Sequence, residues 1–219
     1  MGEEVNLLEA YPRPNRDVAL RGAEKTAEDR EIARKFGKEF FDGERRHGYG
    51  GFTYHPRFWR EVIPAFVSRY NLSADSSVLD VGCAKGFMLF DLLQAVPGIY
   101  LRGIDISSYA VENSKPEVKD YVSVGNAVLL PYEDDSFDLV ISINTVHNLE
   151  GEDLRSALSE IQRVAKLSAF ITVDAFRSDQ ERAAMFAWNL TAKTILSVPE
   201  WEKLFAEVGY TGDYYWFIP

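Results

Sequence analysis

Apolar positions change their spacing near residue 75. Ahead of it, Ile32, Phe36 and Phe40 recur at helical intervals behind Thr26, whose hydroxyl suits an N-cap with acidic residues following. A helix over 26–41 is expected. Gly43, Gly48, Gly50 and Gly51 then interrupt the pattern within FDGERRHGYGGFTYHPRFW. Phe58, Val62, Phe66 and Tyr70 mark one face of a second helix over 56–70. Residues 1–25 are polar, contain Pro12 and Pro14, and read as a loosely packed arm.

Beyond Asp75, short apolar runs alternate with amphipathic stretches. Strands are expected at 78–81, 100–106, 122–124, 137–143, 169–174 and 213–218. Helices are expected at 86–95, 107–114, 152–166, 179–188 and 198–208. The run at 137–143 is the kind a strand covered on both faces requires. The alternation predicts an α/β fold: a doubly wound, mostly parallel sheet with an N-terminal helical cap. Residues 1–75 would form the arm, the cap and a lid segment, and residues 76–219 the core. Ligands of such a sheet bind at the carboxyl ends of its strands.

Charge and composition narrow the function. The 219 residues carry 24 Lys+Arg against 34 Asp+Glu, a net charge of −10, which argues against a nucleic-acid partner. The single cysteine, Cys83, excludes an internal disulfide, and with three scattered histidines it makes no recurring zinc site. No run approaches the ~20 apolar residues that span a bilayer. The first residues do not read as a signal peptide. A cytoplasmic protein handling a small molecule, with no membrane partner, is the expectation.

The chemistry concentrates in Val78-Leu-Asp-Val-Gly-Cys-Ala-Lys-Gly-Phe87, where a buried strand ends in a glycine-containing turn that opens a helix. A nicotinamide-dinucleotide fingerprint would need G-x-G-x-x-G, which this turn lacks. Asp105 follows at the end of the second strand, where a carboxylate can accept from both hydroxyls of a ribose. Gly125-Asn126-Ala127 ends the third strand. These three motifs, in this order, resemble the class I S-adenosylmethionine-dependent methyltransferases, closest to the small-molecule branch of ubiquinone and menaquinone methyltransferases. The likeness is detailed over 76–174 and looser to 219.

The resemblance implies S-adenosyl-L-methionine as cofactor and a Rossmann-like core. It gives Asp80, Gly82, Ala84 and Gly86 to the loop cradling the methionine part and Asp105 to the ribose. Ile106 would lie against the adenine, Asn126 and Ala127 at its edge, and Asn144 beside the cofactor. Ala84 stands where the family has a middle glycine, which a negative φ would accommodate. Asn126 replaces a commoner aspartate, and its amide oxygen still accepts a hydrogen bond. Family members often carry a histidine where His147 leaves the fourth strand. A general base taking the acceptor's proton and a packing residue beneath the cofactor are its two readings.

Tyr49 and Tyr54, with the neighbouring glycines and aromatics of 43–60, fit either a mobile lid or a segment docking the cap onto the sheet. Asn148 and Trp188 are placed near the acceptor. Glu133, Asp134, Asp135 and Asp138 read as a solvated turn, with no metal site expected. His47 and His55 read as surface or packing histidines, and Cys83 as a small residue in a crowded turn. The family ends in two strands after its last helix, whereas one fits here. The resulting sheet edge would be bare or covered by a second copy of the chain.

The expected activity is methyl transfer to a small-molecule acceptor. The alternatives are a non-catalytic cofactor-binding module, a nicotinamide-dependent reductase, and an RNA or protein methyltransferase. The acidic balance weighs against RNA, and no Asn-Pro-Pro-Tyr-type motif follows the fourth strand.

Overall fold

A computed structural model describes residues 2–12 and 25–218. Pro14 and the rest of 13–24 lie outside the described residues. Seven strands form the sheet: β1 Ser77–Val81, β2 Tyr100–Asp105, β3 Val122–Val124, β4 Phe137–Ile143, β5 Ala165–Phe176, β6 Leu196–Ser197 and β7 Asp213–Phe217. Their order is β3-β2-β1-β4-β5-β6, with β7 also on β5, and every ladder is parallel. The doubly wound sheet expected from the alternation is present, with one strand more than the pattern shows. That strand, β6, has two residues and extends the tip of β5 at Ala175 and Phe176. Two residues are too few to leave a periodic signal.

Parallel strands demand helical crossovers, so helices cover both faces. On one face lie α6, Gly151–Val164, and α8, Val198–Glu207. Their Leu158, Ile161, Trp201 and Phe205 are fully buried with Val140, Ile171 and Trp216 of the sheet. The other face takes α3, Ile63–Tyr70, and α4, Phe87–Ala95. There Ile63, Phe66, Leu89 and Leu92 bury Val78, Leu139, Ile141 and Phe170. Between them run α5, Ser108–Glu112, and α7, Asp179–Trp188.

The N-terminal region departs from the pattern in three ways. The helix expected over 26–41 divides into α1, Ala27–Ala33, and α2, Lys38–Asp42. Phe36 has φ +49° at the break, where the chain turns so that Ser107 can donate its hydroxyl hydrogen to the Phe36 carbonyl. The second helix starts at Ile63 rather than 56, because 56–62 runs as turns. Residues 2–12 are not loosely packed. Leu7 is only 6% exposed and joins the core shared by Ile63, Phe66 and Phe170. The arm and the cap helix α3 therefore belong to the same packing unit as the sheet.

The same arm meets the β7 edge. Tyr214 N–H donates to the Glu3 carbonyl at 3.1 Å, and Val5 N–H to the Tyr214 carbonyl at 2.9 Å. Arg69 reinforces the contact, bonding Glu3 at 2.7 Å and Asp213 at 3.0 Å. Part of the edge that the sequence leaves bare is thus paired by the chain itself.

Arm docking makes a stability prediction. Leu7→Ala should cost about 2–3 kcal/mol, the range for truncating a buried leucine. Urea unfolding read by Trp fluorescence checks it; a change under ~0.5 kcal/mol would mean that the arm contributes little to the core.

Candidate active site

β1, β2, β4 and β5 deliver their carboxyl ends to one edge of the sheet, and the expected site residues gather there. At the β1 turn, Gly82 has φ +89°, and a Cβ added to it would lie 2.0 Å from Thr145 Oγ1. Glycine is required there because the neighbouring strand's end fills the space. Gly86, at φ +73°, opens α4. Ala84 does not have the negative φ that would make it an easy replacement. Its φ is +49°, a region that costs an L-residue roughly 1–2 kcal/mol. In that conformation its N–H donates to Asp105 Oδ2 at 2.7 Å.

Asp105 is consequently held from two sides, since Oδ1 accepts from Ser107 N–H at 2.8 Å. Burial pushes its pKa above the ordinary carboxylate value, against the pull of those two N–H groups. Each oxygen keeps a lone pair beyond the one already used. Asp80, also buried, lies one strand over. Burial, with the Asp105 charge adding to it, pushes the Asp80 pKa up to about 7. No hydrogen bond from a described residue reaches the Asp80 carboxylate. Two buried carboxylates on adjacent strand ends without a cation between them are poised for a positively charged ligand.

Past Asp105 the edge turns apolar. Ile106 is 56% exposed and Leu129 75% exposed, unusual for large aliphatic side chains flanking a sheet. Asn126 Oδ1 accepts from Val128 N–H at 3.2 Å, a local turn that fixes the amide and leaves its second lone pair for a ligand. Ala127 packs against the core. Just past β4, Asn144 has φ +52°, and its amide oxygen accepts from Thr172 Oγ1 at 2.9 Å.

A roof crosses this edge. Asp42, at the end of α2, accepts from Lys85 Nζ at 2.6 Å, Tyr109 hydroxyl at 2.7 Å and Phe52 N–H at 2.9 Å. Burial works against the Asp42 charge, yet these three donors outweigh it and hold its pKa below the ordinary value. They come from the glycine turn, α5 and the 43–60 loop, so one carboxylate joins all three. Farther along, Tyr54 donates to Asp91 Oδ1 at 2.7 Å and packs edge-on to Phe90, which anchors it to α4. Tyr49 is different. It is 42% exposed and tilted against Phe52 with centroids 4.2 Å apart; burial raises the pKa of its hydroxyl, with Tyr11 and Asp105 adding to the shift. On the far side, Arg34 donates to the carbonyls of Thr191 and Ala192. Lys25 donates to the Trp188 carbonyl, with its ammonium 5.4 Å from that ring.

His147 lies on the turn Val146–Asn148 after β4, buried. Its Nδ1 accepts the N–H of Asp174 at 2.9 Å, which puts the neutral ring's single proton on Nε2. A ring in that tautomer presents a donor and has no basic nitrogen to offer. The general-base reading of His147 does not fit this arrangement; the packing reading does. Asn148 Nδ2 donates to the Asn144 carbonyl at 3.2 Å, while its Oδ1 is buried without a partner. His47, read as surface or packing, is buried and lies 3.2 Å from Asp29, tying the loop to α1. No cluster of three metal-ligating side chains occurs among the described residues. Among the described residues, no helix is long and apolar enough to cross a membrane.

Residues 79–173 match the protein family described as "Methyltransferase domain". The matched stretch, 79–173, is the domain of the class I S-adenosylmethionine-dependent methyltransferases. Its curated relatives include a tRNA (carboxymethyluridine(34)-5-O)-methyltransferase of Arabidopsis thaliana, 32% identical over 65% of this chain and 33% of that protein. A demethylmenaquinone methyltransferase of Symbiobacterium thermophilum is 30% identical over 65% of this chain and 59% of its own. The chain thus spans less than two thirds of either relative. Among solved structures, YcgJ of Bacillus subtilis shares the fold, with a TM-score of 0.53, 21% identity, and coverage of 67% and 66% of the two chains.

The cofactor of this family, S-adenosylmethionine, fits the residues present. It is a cation overall, and the chain offers buried carboxylates at Asp80 and Asp105, neither of them in an ion pair with a described residue. Exposed Ile106 and Leu129 supply the apolar surface an adenine needs. The nicotinamide-reductase alternative is set aside by the family match and by the missing third glycine. Sequence reasoning missed Asp42, Lys85 and Tyr11. An aspartate at a helix end carries no local sign that three distant donors converge on it.

Two predictions follow from these carboxylates. A native Asp80 that keeps its proton to about pH 7, against 3.8 unfolded, loses stability as pH rises between those values. Asp80→Asn should therefore stabilise the cofactor-free protein at pH 8 and flatten that slope, by at most roughly 4 kcal/mol at ~1.4 per pH unit. Urea titrations from pH 4 to 8 measure it, and an unchanged slope would contradict the assignment. Asp42→Asn should speed amide exchange at Phe52 by about 10–100-fold, the scale of losing a charge-assisted hydrogen bond. Unaltered exchange there would show that the aromatics alone hold the loop.

Proposed function

We propose that this chain transfers a methyl group from S-adenosylmethionine to a small-molecule acceptor that is neutral or cationic. The observation carrying this reading is the set of buried carboxylates toward the strand ends, Asp80, Asp105 and Asp174, together with the aromatic cluster of Tyr49, Phe52 and Phe87 that the 43–60 loop builds on the glycine-turn helix. Such a lining repels phosphates and carboxylates and receives flat or apolar molecules. The Arabidopsis relative is named for tRNA, but a net charge of −10 would oppose a polyanion here.

Asp105 would take the ribose hydroxyls through its unused lone pairs, already oriented by Ala84 and Ser107. Asp80 would face the cationic end of the cofactor, and Ile106, Asn126 and Ala127 the adenine. Asn144, in its left-handed turn, and Thr172 fix the end of β4 between the cofactor side and the acceptor side. When bound, S-adenosylmethionine supplies an electrophilic methyl group on a positively charged sulfur. The roof tied to Asp42 excludes water, and Tyr49 presents its ring and hydroxyl to the reacting space. Trp188 and Asn148 border it on the β5 side. Much of the rate in such a displacement comes from positioning.

Calorimetry should show binding of S-adenosylmethionine and S-adenosylhomocysteine, weakened about 1.5–3 kcal/mol by Asp105→Ala. Methyl-labelled cofactor should mark a species in a deproteinised metabolite extract and leave bulk tRNA unlabelled. Absent heat with both ligands, or label confined to tRNA, would overturn the reading. Binding without any label transfer would favour a non-catalytic module.

A further inference from the structure

The acceptor's proton needs a destination, and His147 is committed elsewhere. Beside it stands a carboxylate to which no chemical step has been given. Asp174 ends the run Phe170, Thr172, Asp174, which alternates onto the α3 and α4 face of β5. It is 3% exposed, yet neither carboxylate oxygen accepts a hydrogen bond from any described residue. Its backbone is fully engaged: the N–H goes to His147 Nδ1 at 2.9 Å and the carbonyl accepts from Trp201 Nε1 at 3.0 Å. The backbone is pinned and the side chain is left over. A buried carboxylate without donors is costly to retain unless a ligand supplies one.

We propose that Asp174 is the group that accepts the acceptor's proton during methyl transfer. This rests on the methyltransferase reading above. The sheet order β2-β1-β4-β5 puts Asp174 across β4 from Asp80 and Asp105, on the side away from the cofactor carboxylates. Its surroundings suit an uncharged or cationic acceptor bearing O–H or N–H. Phe217 is its register partner on β7, and Trp188 packs on Phe217 at 5.1 Å between centroids. The charged or titratable groups facing it are His147, whose Nδ1 is 3.6 Å from Oδ1, and Lys25. Burial raises the Asp174 pKa, with both neighbours pulling the other way. A carboxylate so raised is a stronger base near neutral pH than an ordinary one.

The step balances. The acceptor's heteroatom forms a bond to the methyl carbon as the sulfur–carbon bond breaks, its electron pair staying on sulfur. The proton leaves the heteroatom for an Asp174 oxygen and later passes to water. No oxidant, reductant or metal enters.

The test uses the whole chain, methyl-labelled S-adenosylmethionine and the metabolite species that wild type labels. Wild-type turnover should rise with pH through a carboxyl group's titration and then level. Asp174→Asn should lower turnover by about 10²–10⁴-fold and lose that limb. Asp174→Glu should recover part of both. Calorimetric affinity for S-adenosylhomocysteine should stay within a few-fold in each variant, which also shows that the variants are folded. Carbon-13 NMR of aspartate carboxyls should lose one resonance titrating above the ordinary range in Asp174→Asn, without cofactor or turnover. Turnover within a few-fold of wild type with the same pH profile, or retention of that resonance, overturns the role of Asp174 and leaves the methyltransferase reading standing. Absence of any labelled species with wild type overturns both.

Discussion

Parallel pairing governs this molecule. When every strand runs in the same direction, all carboxyl ends emerge on one edge, and residues far apart in the chain arrive there together. Asp80, Asp105 and Asp174 lie toward the carboxyl ends of β1, β2 and β5, which the ladders bring to one edge, Asp105 two residues and Asp174 four residues beyond the register row of Asp80. The same arrangement buries both faces, so water cannot relieve the charges. The strained turns at Ala84 and Asn144 belong to this constraint. Each reverses the chain at a strand end in the little space that a neighbouring strand leaves, as Thr145 leaves at Gly82.

The N-terminal region answers the exposure of that edge. Rather than forming a separate domain, it begins as a strip along β7, sinks Leu7 into the sheet's own core and returns as a roof fastened at Asp42. Its fastening to Lys85 ties it to the glycine turn. Loop order and cofactor-turn order are therefore parts of one hydrogen-bonded unit. The aromatics of 43–60 divide accordingly: Tyr54 and Phe52 anchor the loop to α4, while Tyr49 keeps part of its ring exposed.

Much of this is written in the sequence. Apolar runs separated by amphipathic helices specify a doubly wound sheet, because period and length are local properties. The glycine turn, Asp105 and Asn126 are legible because each follows a strand at a fixed offset, so strand ends and site residues are predicted together. Six of the seven strands come from the pattern, while β6, at two residues, is too short to register.

What the pattern does not contain are relations between distant side chains. Nothing near His147 in the chain shows that Asp174 N–H holds its Nδ1, which decides the tautomer of its neutral ring. Nothing around residue 42 shows three donors meeting there, and polar residues at the start of the chain read as solvated until β7 offers them an edge. Hydrophobic period and turn chemistry act over a few residues, so the sequence by itself determined the sheet, its order of motifs and its cofactor edge. Hydrogen bonding and desolvation act across space, so only the tertiary structure decided which histidine nitrogen carries the proton of the neutral ring, which carboxylate is left without a donor, and what covers the site.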